Sequence, residues 1–253
     1  MPDFLDAVAA LAHCNSGPEL ERASADFIRG RGFGAIYLVS PIGRDTREGR
    51  ILTNYGFDDT WARAYRRWLH RADPLPEIIL TRPQVFRWSQ AHRLRDLSYE
   101  EQRYLAMLKQ RGMGDGLIIP LFGPTARCAM AGLGLHPDLD SLSEHGILQL
   151  RIFLQMAYLR YCELISAEFE QDAILSSREK DVLLWMSRGK SNAAIATILD
   201  ISTDTVDTYV RRIFKKFEVK DRVAAVLAAV RHGYVIAANY PRNTQPRMAE
   251  SQF

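Results

Sequence analysis

Residues 175–233 read LSSREKDVLLWMSRGKSNAAIATILDISTDTVDTYVRRIFKKFEVKDRVAAVLAAVRHG, a run of short helical patterns separated by caps. Ser176 and Glu179 stand three apart before an apolar run, so the serine can cap a helix while the glutamate reaches back to the cap amide. That helix buries Val182, Leu183 and Met186 and stops at Gly189, because only glycine adopts the left-handed turn cheaply. A second helix opens near Ser191, buries Ile195, Ala196 and Leu199, and ends in a tight turn at Asp200, Ile201 and Ser202. The third begins at Ser202 or Thr203 and repeats Val206, Val210, Ile213 and Phe217 on its inner face. Its outer face carries Thr205, Thr208, Tyr209, Arg211, Arg212, Lys215 and Lys216. Hydroxyls near the start suit base edges, and cations near the end suit phosphates. Asp221 caps a fourth helix in which Val223, Val226, Leu227 and Val230 are expected to pack inward. On a lone helix the cations of residues 211–216 would read equally well as a solvated face. The short preceding helix and its tight turn instead make the segment a helix-turn-helix.

A chain of 253 residues leaves room beside this segment for a second, larger domain. With 47 % hydrophobic and 25 % charged residues the chain has the composition of a globular protein able to bury a core. A formal net charge of +3 is too mild to identify a nucleic-acid partner, so that reading rests on where the cations sit. Cys14, Cys128 and Cys162 lack any zinc or redox spacing and read as reduced core thiols. No segment approaches the roughly 20 apolar residues of a membrane span, and the first residues lack the basic start of a signal peptide, so the chain is expected in the cytoplasm with no membrane partner.

From residue 1 to 168 strand and helix patterns are mixed. Strands are expected at 35–39, 50–55, 85–88, 116–122 and 128–135, where β-branched and aromatic residues are bounded by Gly, Pro or Asp. Helices are expected at 59–70, 99–111 and 141–168, with two more before Gly30, Gly32 and Gly34. A turn around residues 123–126 favours hairpin pairing over a doubly wound parallel sheet. The expected fold class is therefore α+β: an N-terminal α/β/α sandwich with a five-stranded antiparallel sheet, followed by an all-α four-helix helix-turn-helix domain. The expected boundaries are a sensor domain at 1–168, a linker at 169–174, the helical domain at 175–238 and a flexible tail at 239–253.

The helical segment resembles the LuxR-type DNA-binding domain along nearly its full length. Leu175, Arg178, Glu179, Leu183, Gly189, Lys190, Ser191, Asn192, Ile195, Ala196, Ile201, Ser202, Thr205, Val206, Lys216, Val219 and Arg222 fall on the family pattern. The resemblance implies scaffold roles for Glu179, Leu183 and Gly189. It implies DNA contacts from Asn192, Thr203, Thr205, Thr208, Tyr209, Arg211, Arg212, Lys215 and Lys216, with Tyr209 standing where the family usually has histidine.

The front of the chain, NYGFDDTWARAYRRWLHRADPLPEIILTRPQVFRW at 54–88, resembles the autoinducer-binding domain of acyl-homoserine-lactone receptors. Trp61 and Tyr65 share a helix face, Asp73 and Pro74 follow at the helix end, Trp88 closes a strand, and Gly116 matches the family's pocket glycine. Taken singly the aromatics read as core and Asp73 as a turn residue; their joint order carries the resemblance. What it implies is chemically coherent. The Trp61 indole donates to a lactone carbonyl, Asp73 accepts from the ligand's amide N–H, and Tyr65 and Trp88 wall the head group. Phe57 stands where the family usually has a tyrosine that binds the acyl carbonyl, so that bond is missing or supplied from elsewhere. Ala131 is the candidate for the strand position where relatives often place Ser or Thr near the same carbonyl.

Two other classes fare worse. A phosphorylated receiver domain needs an acidic pair after the first strand, but Pro41 follows it. An enzyme needs a metal-ligand spacing, a nucleophile elbow or a phosphate loop, and none of His13, His70, His92, His136, His145 or His232 belongs to one. The chain is expected to be no enzyme and to need no cofactor or metal. It reads as a quorum-sensing transcription regulator that takes an N-acyl-homoserine lactone, or alternatively a non-lactone small molecule. Its expected partners are a second copy of itself, double-stranded DNA carrying an inverted repeat, and RNA polymerase.

Overall fold

The computed structural model describes residues 3–40, 50–124, 127–169 and 175–235, and the chain divides into two compact units, Met1–Asp172 and Ala173–Phe253. Most of the expected linker, residues 170–174, and the expected tail at 239–253 lie outside the described residues.

The first unit is built on five strands: β1 (Ala35–Ser40), β2 (Arg50–Tyr55), β3 (Phe86–Arg87), β4 (Gly116–Phe122) and β5 (Cys128–Gly134). They pair in the order β2-β1-β5-β4-β3 with every neighbour antiparallel, as the sequence reading expects. Because side chains alternate along a strand, the sheet separates two cores. Ala35, Tyr37, Val39, Ile118 and Met130 face one side, against α3 (Asp59–Arg67), α4 (Leu75–Thr81) and α5 (Tyr99–Gln110). Ile36, Leu117, Ile119, Leu121, Ala129, Ala131 and Leu133 face the other, against α1 (Phe4–Leu11), α2 (Gly17–Gly30) and α6 (Glu144–Phe169).

Three local readings needed correction. The strand expected through Leu135 ends at Gly134, because Leu135 takes φ 57°, a left-handed conformation that breaks the ladder. The strand expected to Trp88 ends at Arg87, and Trp88 opens a 3-10 turn through Arg93. The residues after Asp73-Pro74, expected only as the end of a helix, instead start α4. The Asp73 side chain accepts from the Leu75 amide, and prolines suit the first helical turn, where no amide is required.

The second unit has α7 (Ser177–Ser187), α8 (Asn192–Leu199), α9 (Thr203–Lys216) and α10 (Arg222–Arg231). Ser176 and Glu179 form the anticipated capping box, and Gly189 takes φ 75° after α7. Asp200, at φ 54°, ends α8, and Ser202 caps α9 two residues later. Leu175, Val182, Leu183, Ile195, Val206 and Ile213 form the core between them. α10 is turned differently from the expectation: it buries Ala225, Ala228 and Ala229, while Val223 and Leu227 are exposed. Alanines let the helix approach α7 closely, and the larger side chains are left outside. No helix of the described residues is long and apolar enough to cross a membrane.

Candidate ligand chamber and nucleic-acid interface

Asp58 caps α3 by accepting from the Thr60 amide, which fixes the start of the helix and hence the direction of Trp61 and Tyr65 one turn apart. Both face inward and are buried, and Phe57 just before the helix joins them. The three rings form a stack, with centroids 4.9 Å apart for Phe57–Trp61 and 5.0 Å for Trp61–Tyr65. Tyr37 from β1 meets Phe57 edge-on at 5.1 Å and Trp61 at 5.4 Å. Such contacts add about 0.5–1.5 kcal/mol each beyond the area they bury.

Asp73 sits beyond a 3-10 turn (Leu69–Arg71) that folds the chain back under α3. The Tyr65 hydroxyl donates to its Oδ2 at 2.7 Å, and the Leu75 amide donates to its Oδ1 at 3.0 Å. Burial pushes its pKa up to about 6, against the restraining effect of the Leu75 amide, Tyr65 and Tyr104. The Tyr104 hydroxyl also helps hold the carboxylate, although the pair lies outside full hydrogen-bond geometry. Pro74 is buried beside it at the head of α4.

Trp88 closes the chamber from the far end, where its indole donates to the Met113 carbonyl at 3.2 Å. That donor is therefore spent, and Trp88 contributes a wall. Gly116 and Gly134 lie under its ring: a Cβ on Gly116 would come within 2.1 Å of Trp88 Cη2 and 2.3 Å of the Leu133 carbonyl oxygen. Because one of those atoms is backbone, Gly116→Ala is expected to destabilise the unit by about 1–3 kcal/mol in chemical denaturation. An unchanged midpoint would show that the ring and strand shift freely.

The buried donors on this face that lack a hydrogen-bond partner include Trp61 Nε1 and the hydroxyls of Tyr37 and Tyr104. Orphans of this kind are costly and uncommon in a folded interior, and two of them, the hydroxyls of Tyr37 and Tyr104, feel the charge of Asp73. The structure thus brings Phe57, Trp61, Tyr65, Asp73, Pro74, Trp88 and Gly116 to one face of the sheet. It does not bring Ala131, which alternation turns into the opposite core; Met130 and Gly132 are the β5 residues on the chamber side. Tyr37 and Tyr104 escaped the sequence reading, although Tyr37 shares a period of two with Ala35 and Val39 that places all three on one face.

An open groove of ≈ 270 Å³ lies on the other face, lined by residues such as Leu20, Ser24, Ile36, Leu121, Leu154 and Tyr158. The α3 side is nevertheless the better candidate, because Trp61 Nε1, the Tyr37 and Tyr104 hydroxyls and the perturbed carboxylate stand there.

In the second unit Thr203, Thr208, Arg211, Arg212 and Lys215 project from α9 into solvent. The Thr205 hydroxyl pairs with Ser202 at the helix cap, and Tyr209 is half-buried with Arg212 over its ring at 5.9 Å. Two expected contact residues are held within the unit. Asn192 donates to Asp207 at 2.6 Å and accepts from Arg222 at 3.0 Å, locking α8, α9 and α10 together. Lys216 donates at 2.7 Å to Glu179, which is only 3 % exposed and also closes the α7 cap. Burial alone would raise the Glu179 pKa, but Lys216 and the Ser176 amide hold it below the usual carboxylate range.

Comparison with known proteins follows these two units. Residues 18–161 match the family model for the autoinducer binding domain, and residues 173–229 match that for bacterial regulatory proteins of the luxR family. A putative HTH-type transcriptional regulator, y4qH of Sinorhizobium fredii, is 27 % identical over 59 % of this chain, spanning 46 % of its own length. The quorum sensing-dependent transcriptional regulator RpaR of Rhodopseudomonas palustris is 25 % identical over 92 % of this chain and 93 % of its own. Among solved structures, Escherichia coli SdiA superposes with a TM-score of 0.71 at 17 % identity, covering 92 % of this chain and 98 % of that one.

Proposed function

Because this chain belongs to the luxR family of bacterial regulators that carry an autoinducer-binding domain, we propose that its ligand is an N-acyl-homoserine lactone whose head group is held between Trp61 and Asp73. The protein is a ligand-responsive transcription regulator. One observation carries the lactone reading: Trp61 Nε1 is a buried donor without a partner, and Tyr65 links its ring to a buried carboxylate that retains acceptor capacity. A lactone carbonyl satisfies the indole and the ligand's amide N–H satisfies Asp73, so one amide-linked head group answers both. The acyl chain contributes about 0.8 kcal/mol per methylene removed from water.

Titration calorimetry with lactones of short and long acyl chains tests this reading. Saturable one-to-one binding is expected, weakened about 2- to 12-fold in Trp61→Phe, the equivalent of one neutral hydrogen bond. Absence of binding by every lactone in a protein that still binds DNA would contradict it. A non-lactone amphiphile is the second reading, favoured by Phe57, which offers no hydroxyl to an acyl carbonyl.

DNA binding is proposed to use a homodimer. On α6, Leu148, Ile152 and Met156 expose an apolar stripe at four-residue spacing, and Val223 and Leu227 do the same on α10. Two-fold pairing through these faces would set the two α9 helices into half-sites of an inverted repeat, about one turn of DNA apart. Arg211→Ala and Lys215→Ala are each expected to weaken binding at all sequences and to flatten the log–log salt slope by about one counterion. Equal slopes for wild type and both variants, measured by fluorescence anisotropy, would remove these cations from the interface.

A further inference from the structure

The chamber contains a donor that the pairing of Trp61 and Asp73 does not use. Tyr37 comes from the central strand β1, is 1 % exposed, and its hydroxyl has no hydrogen-bond partner. Its position is set from two sides. Tyr37 pairs across the ladder with Gly132 of β5, and a Cβ at Gly132 would lie 2.1 Å from Tyr37 Cε1 and 2.4 Å from Cζ. Only a residue without a side chain lets the phenol lie down across the sheet there. From the other side the Phe57 ring meets Tyr37 at right angles, 5.1 Å between centroids, and Trp61 follows at 5.4 Å. The hydroxyl therefore belongs to the same enclosed group as the indole N–H and the carboxylate.

A count of donors and acceptors says what it faces. The Tyr65 hydroxyl is committed to Asp73, the Trp88 indole to Met113, and Tyr104 leans on Asp73. Apart from Tyr104, Trp61 Nε1 and Tyr37 Oη are buried donors with no partner, and Asp73 is a carboxylate able to accept. An N-acyl-homoserine lactone head group presents the complement: two carbonyl oxygens and one amide N–H. Burial and the neighbouring Asp73 raise the Tyr37 pKa well above 10, so the phenol stays protonated and able to donate.

We infer that Tyr37 reads the acyl carbonyl of the bound ligand, supplying from β1 the hydroxyl that Phe57 lacks. The inference rests on the lactone reading. It makes the Tyr37, Phe57 and Gly132 set a specificity device: the donor reaches the carbonyl from the sheet, and the α3 side of the head group meets a phenyl ring.

The test uses the full-length protein and N-acyl-homoserine lactone carrying ¹³C at the acyl carbonyl. Tyr37→Phe is expected to weaken binding about 2- to 12-fold and to move the labelled carbonyl band to higher wavenumber in difference infrared spectra. Free Tyr37→Phe should unfold at no lower denaturant concentration than wild type, since it loses only an unpaired hydroxyl; a purely structural tyrosine would behave oppositely. Adding Phe57→Tyr to Tyr37→Phe should return the band and the affinity toward wild type, because the two rings are adjacent. A labelled band that stays at its wild-type position in Tyr37→Phe overturns the assignment. Wild-type protein that binds DNA but no lactone overturns the lactone reading itself, and this inference with it.

Discussion

Asp73→Asn is expected to stabilise the ligand-free sensor unit by up to about 3 kcal/mol at neutral pH while weakening lactone binding about 10- to 150-fold. The first half follows from the carboxyl's pKa, raised from 3.8 to about 6 chiefly by burial. A group that binds its proton more tightly in the folded state favours folding at low pH. Its contribution is therefore fully present below about pH 4, fades through pH 6 and is gone near pH 7, where the buried charge is a penalty. Asparagine keeps the shape and removes the charge. The second half follows because an anionic acceptor makes a stronger hydrogen bond to an amide N–H than a neutral one does. Urea denaturation at pH 5 and pH 7, with and without ligand, reads both. Wild type should lose stability across that interval more steeply than Asp73→Asn when free, and bound ligand should restore it by favouring the ionised form. Parallel pH profiles for the two free proteins would show that Asp73 is adequately solvated.

The neighbouring lysines of α9 should part company. Lys216→Ala is expected to destabilise the second unit by roughly 1–3 kcal/mol, the cost of leaving a buried charged acceptor unpaired. The larger figure for a fully buried pair does not apply, because the Lys216 side chain is 37 % exposed. Lys215→Ala should leave stability within about 0.5 kcal/mol and act only on DNA binding and its salt slope. Thermal unfolding beside anisotropy titrations separates the two. Equal thermal midpoints for both variants would mean that the Glu179–Lys216 contact contributes nothing measurable.

The architecture was legible because its signals were local. Runs of β-branched and aromatic residues bounded by Gly, Pro or Asp announced four of the five strands at nearly full length, and Ser176, Gly189 and Ser202 marked the helix ends by capping chemistry. The fold class read from those patterns matches the observed sheet order and helical unit. What stayed hidden were partners distant in sequence. Lys216 has the spacing of a phosphate contact, but Glu179 lies 37 positions earlier, and no pattern on α9 reveals it. Asn192 likewise meets Asp207 and Arg222 only after three helices pack. Val223 and Leu227 looked like core because apolar residues usually are; the smaller alanines won the inner face because α10 packs closely. Ala131 shows the sensitivity of strands to parity: a shift of one residue moves a side chain to the opposite core.

The chamber was half legible. Trp61, Tyr65 and Asp73 are close in sequence, and the resemblance named them together. Tyr37 comes from a strand more than twenty residues earlier, and nothing local distinguishes its ring from other core aromatics until Gly132 is seen beneath it.

A crystal structure of the protein with an N-acyl-homoserine lactone tests the roles of Trp61 and Asp73 most directly. Its head group should lie on the α3 side of the sheet, with Trp61 Nε1 and a carboxylate oxygen of Asp73 each within hydrogen-bond distance of it. A lactone seated instead in the groove between α2 and α6, with Trp61 still unpartnered, would contradict it.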